Sequence, residues 1–128
     1  MAAQVLGKEI EMDCRASRDG HAVVVEVEGR IDGATAGDLE NSMMAEIEET
    51  DKVVVCDLSG VSYVSSAGLR AILVVAKRLS KQAVEFSICG LNGPVAEVFH
   101  ISGFDRIFKV YEKREEALAE ATANSGQA

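Results

Sequence analysis

Basic residues are in short supply in this chain: thirteen lysines and arginines face twenty-one aspartates and glutamates, for a net charge of −8. That balance opposes non-specific attraction to phosphate backbones and anionic lipid, so neither nucleic acid nor a membrane surface is an expected partner. Cysteine is scarce too. Cys14, Cys56 and Cys89 lie far apart, each in or beside an apolar segment, with no C-x-x-C spacing. A zinc or redox site is therefore not expected, and all three read as small reduced core residues. The two histidines, His21 and His100, have no sequence neighbours that would complete a triad or a ligand set. No G-x-G-x-x-G, G-x-x-x-x-G-K-[ST] or H-E-x-x-H occurs, so no catalytic residue, cofactor or metal is expected. The longest apolar run near the middle, AILVVA, is far short of the roughly 20 residues needed to span a bilayer. The opening MAAQVLGKEI lacks the apolar centre of a signal peptide, and the expected location is the cytoplasm.

What is present suits one globular domain. Across 128 residues, 48% are apolar and 27% charged, enough for a core. A single domain over 1–128 is expected, with its core at about 8–118 and a frayed tail at 119–128 that ends in the small, polar TANSGQA.

Apolar periodicity supplies the elements. KEIEM at 8–12 and VVVEVE at 23–28 read as strands with a solvated face, joined in a hairpin through SRDG. After the turn GRIDGA, helical spacing runs from about Thr35 to Glu49, with Leu39, Met43 and Ile47 four apart and Thr35 or Asp32 at its start. VVVCDL at 53–58 is apolar up to Asp57, the pattern of a central strand covered on both faces. SGVSYVSS then reads as a turn. It leads into a helix marked by Leu69, Ile72, Leu73, Ala76 and Leu79, with Lys77, Arg78 and Lys81 at its dipole-negative end. VEFSIC at 84–89 is a further strand. Asn92-Gly93-Pro94 opens a short helix that Gly103 ends, RIFKVY holds a short strand, and EKREEALAEA forms a last helix. Strands alternating with helices predict an α/β fold: a mixed sheet of four or five strands, antiparallel at the opening hairpin and parallel elsewhere, with about four helices mainly on one face.

The adjacent hydroxyls of Ser65 and Ser66 stand where the central strand hands over to the best-defined helix. Ser66 can serve as the N-cap of a helix beginning at Ala67, accepting from the N–H of Gly68 or Leu69. A functional reading competes with that one, because α/β sheets tend to place ligands beyond the carboxyl ends of their strands. On a helical wheel, Ala67, Ala71 and Val74 form a small apolar strip opposite Leu69, Ile72 and Ala76, bordered by Arg70, Lys77, Arg78 and Lys81. The strip is either ordinary solvated helix or a docking surface.

GRIDGATA at 29–36, VVVCDLSGVSYVSSAGLRAILVVAKRL at 53–79 and GPVAEVFHISGFDRIFKVY at 93–111 together resemble the STAS domain. The likeness is nearest to the bacterial anti-sigma factor antagonists that serine phosphorylation switches. It implies a STAS-like sandwich and carries the modified serine onto Ser66, with Ser65 as a secondary acceptor where some members have aspartate. It implies that Asp32 lies near a partner kinase, unless it is a turn aspartate, and that Asp57 ends the central strand in a structural role. The surface expected to meet the partner is Asp32, Ser65, Ala67, Arg70, Ala71, Val74 and Arg78. The implied partners are an anti-sigma factor with serine kinase activity and a metal-dependent serine phosphatase. The implied alternative is an unphosphorylated STAS scaffold in a signalling or lipid-transport assembly, and a small nucleotide-binding or hydrolytic enzyme has the least support.

Overall fold

The computed structural model describes residues 12–126; the start of the expected strand at 8–12 lies outside them. Strand β1 (Met12–Asp19) pairs antiparallel with β2 (Ala22–Ile31), and β3 (Val53–Val64), β4 (Glu85–Cys89) and β5 (Lys109–Tyr111) follow in parallel, giving one five-stranded sheet in the order β1-β2-β3-β4-β5. Helices α1 (Ala36–Glu46), α2 (Ser66–Lys81), α3 (Gly93–Ser102), the single-turn α4 (Phe104–Ile107) and α5 (Arg114–Gly126) connect and flank them. The expected α/β architecture is present, with α4 as an addition. Helix α5 runs past the anticipated start of the tail, so residues 119–126 continue it, while 127 and 128 lie outside the described residues.

The hydrophobic pattern sorts residues to the two faces. In β2, Val23, Val25 and Val27 face one way, and Val54, Cys56 and Leu58 of β3 join them. They meet Leu39 and Met43 of α1, Leu69, Ile72, Val75 and Leu79 of α2, and Val95 and Phe99 of α3. The alternate residues Val24, Val53 and Val55, with Cys89, face the other side, where Ala117 and Ala121 of α5 cover them. Glu26 and Asp57 share this second phase, so both carboxylates point toward α5. There the Arg114 guanidinium donates to Asp57 Oδ2 at 2.7 and 3.1 Å and also pairs with Glu26.

Three boundaries differ from expectation. The hairpin turns at Gly20–His21 instead of SRDG, because Ser17 and Arg18 pair with Val24 and Val23 and Arg18 also reaches the buried Asp51 carboxylate at 2.9 Å. Helix α1 ends at Glu46, short of Glu49. The same Asp51 carboxylate accepts from the Glu48 N–H at 2.7 Å and holds the chain in a turn. SGVSYVSS, expected as a turn, is mostly strand. The β2–β3 register slips twice, with one extra residue on the β3 side each time, so Leu58, Val61 and Val64 point inward at intervals of three.

Candidate functional site

The bulged extension of β2 and β3 carries both chains past the end of β4, whose pairing with β3 stops at Asp57 and Cys89. At its tip the Ser65 N–H donates to the Ile31 carbonyl at 2.9 Å, which sets the Asp32 loop beside the start of α2. Gly68 permits this closeness: a Cβ there would stand 2.6 Å from the Ile31 carbonyl oxygen and 2.7 Å from Ile31 Cγ2.

The two serines have different roles. Ser65, extended at φ −97° and ψ 177°, is the N-cap of α2, and its hydroxyl accepts from the Gly68 N–H at 3.2 Å. The expectation that Ser66 would cap a helix beginning at Ala67 is therefore corrected. Ser66 is the first helical residue, exposed, and its hydroxyl makes no hydrogen bond among the described residues. With Gly68 N–H given to the cap and Leu69 N–H to the Ser65 carbonyl, the first-turn donors left free among the described residues are the N–H groups of Ser66 and Ala67. Arg70, one turn on and exposed, makes no ion pair among the described residues. An anion on the Ser66 side chain would thus find donors and a cation within its own turn. Replacing Ser65 with alanine should cost about 1 kcal/mol of stability, read as a lowered urea midpoint.

Asp32 acts as a turn former. Its Oδ1 accepts from Ala34 N–H at 3.0 Å and Thr35 N–H at 3.2 Å, while the buried Thr35 hydroxyl accepts from Asp32 N–H and donates to the Arg30 carbonyl, each at 2.9 Å. Its Oδ2 faces Arg30 at 3.7 Å, and that guanidinium lies 4.3 Å above the centre of the half-exposed Tyr63 ring. Arg30 and Tyr63 were not singled out by sequence pattern, since their adjacency depends on the second register slip of β3.

The apolar strip on α2 is not open as the wheel suggested. Ala71 is only 5% exposed and Val74 is half-buried, because α1 packs alongside. Together with Ala67 they floor a groove of about 210 Å³, walled by Ala36, Gly37 and Glu40 of α1 and edged by Arg70. Arg78 pairs with Glu40 at 3.0 Å and is thereby tied to α1. The α1 contribution was missed by sequence, although the small pair Ala36-Gly37 opening a helix was a usable sign of close helix approach.

Away from this end, the other candidates have structural surroundings. Burial pushes the Cys89 thiol up to about 12 and the Cys14 thiol to about 11, with Asp57 and Asp13 respectively adding to the effect, and the fully buried Cys56 is also raised. All three are free, Cys56 and Cys89 buried and Cys14 partly so. His21 and His100 are exposed, the latter with Nδ1 3.0 Å from Asp105. Among the described residues no group of acidic, histidine or cysteine side chains could hold a metal ion, and no helix is long and apolar enough to cross a membrane.

Burial alone would raise the pKa of Asp57. The Ser59 backbone and hydroxyl and the Arg114 guanidinium outweigh it and hold the carboxyl below its ordinary value. Asp51 is likewise held low against its burial, by Arg18 and the Glu48 N–H. A carboxyl with a depressed folded pKa contributes stability in full above its unfolded value, near about 3.9, and loses it as pH falls through the folded pKa. Stability should therefore drop in the acid range below about pH 4, and Asp57→Asn should flatten that drop in urea unfolding followed against pH.

The STAS domain model matches this chain over residues 14–117, and the chain belongs to that family. Anti-sigma factor antagonists are among the proteins it is similar to. The putative anti-sigma factor antagonist BtrV of Bordetella bronchiseptica is 43% identical over 93 residues, 73% of this chain and 80% of that protein. The anti-sigma-F factor antagonist RsfB of Mycobacterium tuberculosis is 27% identical over 103 residues, 80% of this chain and 83% of that protein. The crystal structure of an anti-sigma factor antagonist from Mycobacterium paratuberculosis superposes with a TM-score of 0.76 at 28% identity, covering 85% of this chain and 92% of that one.

Proposed function

We propose that this chain is a partner-switching antagonist acting as one domain in the cytoplasm. Unphosphorylated, it binds an anti-sigma factor that is also a serine kinase and so releases a sigma factor. Phosphorylation of Ser66 ends that binding, and a metal-dependent serine phosphatase restores it. ATP and magnesium belong to the kinase, and this chain is substrate and ligand.

The observation that carries the reading is the division of labour between the serines: Ser65 caps the helix, which leaves the Ser66 hydroxyl exposed and, among the described residues, unbonded. A kinase needs an accessible hydroxyl, and the transferred phosphoryl group leaves a dianion that the Ser66 and Ala67 N–H groups and Arg70 can accept without unfolding the helix. The groove between α1 and α2 reaches Ala67, the residue after Ser66 in the chain, and takes a small apolar side chain of the partner, with Arg70 at its edge. Asp32, Ala67, Ala71, Val74 and Arg78 belong to this surface. Ala71 contributes as groove floor, and Arg78 through its hold on Glu40.

Incubation with the kinase, ATP and magnesium, followed by mass spectrometry, tests the assignment. Wild type and Ser65→Ala should each gain one phosphoryl group and Ser66→Ala none. Label on Ser66→Ala but not on Ser65→Ala would move the site to Ser65, and absence of label on every form would leave an unphosphorylated scaffold as the better reading.

A further inference from the structure

A larger apolar groove lies on the same sheet face, about three turns further along α2 from Ser66. It occupies about 570 Å³ between the second half of α2, the start of β4 and the α4–β5 connection. That volume falls within the roughly 300–1,000 Å³ of small-molecule sites, which are mostly apolar with few polar groups. Leu73 and Ala76 form one wall, Val84 and Phe86 the floor, and Ile107 and Phe108 the other wall. Ile107 is 60% exposed, an unusual placement for an aliphatic side chain beside other apolar groups.

The floor is firmly held. Phe86 and Phe108 meet edge to face at 5.7 Å, Phe108 meets Phe104 at 5.8 Å, and Phe104 meets the fully buried Phe99 at 6.4 Å. All four phenylalanines of the chain thus run from the core to the groove, so the cavity is preformed and not a gap that a side-chain shift would close.

The rim carries a charge opposite to that of the whole molecule. Lys77 stands on the α2 side with no carboxylate partner among the described residues, and Lys109 lies opposite, 3.3 Å from Glu85. Two ammonium groups and one carboxylate leave a local excess of positive charge on a chain whose net charge is −8. An apolar floor with one ammonium at its edge that no described carboxylate pairs fits an anionic amphiphile and disfavours a cationic one. We infer that this groove binds the carboxylate form of a fatty acid, its hydrocarbon chain lying on Phe86 and Phe108 and its headgroup meeting Lys77.

Titration of the intact chain with sodium dodecanoate below its micelle concentration, followed by amide NMR, tests this. The expected result is saturable one-to-one binding, with the largest shifts at Ala76, Lys77, Phe86 and Phe108. Lys77→Glu, a change at an exposed site, should weaken binding roughly fivefold. Ala76→Phe should block the groove, and Ile107→Ser, at an exposed position, should weaken binding with the fold intact. No saturable binding, shifts centred elsewhere, or equal affinity for dodecyltrimethylammonium would overturn the inference. Concentration-dependent shifts at the same residues without ligand would place a second copy of the chain in the groove and overturn it as well.

Discussion

Gly68→Ala should lower the stability of this domain by about 1–3 kcal/mol, although glycine to alanine within a helix ordinarily gains up to about 1 kcal/mol. The reason lies in backbone geometry. The added Cβ would stand 2.6 Å from the Ile31 carbonyl oxygen, a main-chain atom that already accepts from the Ser65 N–H at 2.9 Å. No rotamer change relieves that contact; the start of α2 must move away from the end of β2. The same movement would displace Ser65, Ser66 and the head of the α1–α2 groove. A lowered urea midpoint together with slower phosphorylation is therefore expected. An unchanged or raised midpoint would show that α2 does not depend on this close approach.

Phosphorylation of Ser66 should weaken partner binding by more than about a hundredfold. A phosphoserine adds about −1.5 to −2 charges at pH 7 and three acceptor oxygens. At the centre of a contact built for a neutral hydroxyl, mismatched charge costs several kcal/mol, and about 3 kcal/mol already exceeds a factor of a hundred. Stability should change much less. An anion at an exposed helix N-terminus is favoured by about 0.3–1 kcal/mol, and the free N–H groups of Ser66 and Ala67 with Arg70 one turn away supply that setting here. Ser66→Asp should give a smaller loss of affinity, since one carboxylate carries less charge and fewer oxygens than a phosphate.

The parts of the fold that follow simple periodicity were legible in the sequence. The helical spacing of Leu69, Ile72 and Leu79 and the apolar run at 53–58 identify α2 and the centre of β3, and Pro94 and Gly103 bracket α3. What escaped depends on interactions remote in sequence. Leu58, Val61 and Val64 lie three apart, a period that matches neither strand nor helix, because two register slips against β2 supply the extra residues. A wheel drawn for α2 alone places Ala71 outward; only the crossing of α1 buries it.

The serine pair shows the same division. That a short polar residue should cap α2 was evident, and which of the two does so was not. The end of β3 is fixed by the Ser65 hydrogen bond to Ile31, thirty-four positions earlier in the numbering and invisible to local pattern. Asp57 was read as structural, and the phase of the strand explains why: it points to the second face, where Arg114 waits on α5. Asp32 proves to be a turn former through Oδ1, with only its second oxygen directed at Arg30.

The most direct test of the switch is isothermal titration of the anti-sigma kinase with unmodified chain and with chain phosphorylated at Ser66, each first shown by thermal melting to be folded. The account predicts measurable binding for the first, a loss beyond about a hundredfold for the second, and nearly equal melting temperatures. Equal affinities for the two folded forms would contradict it.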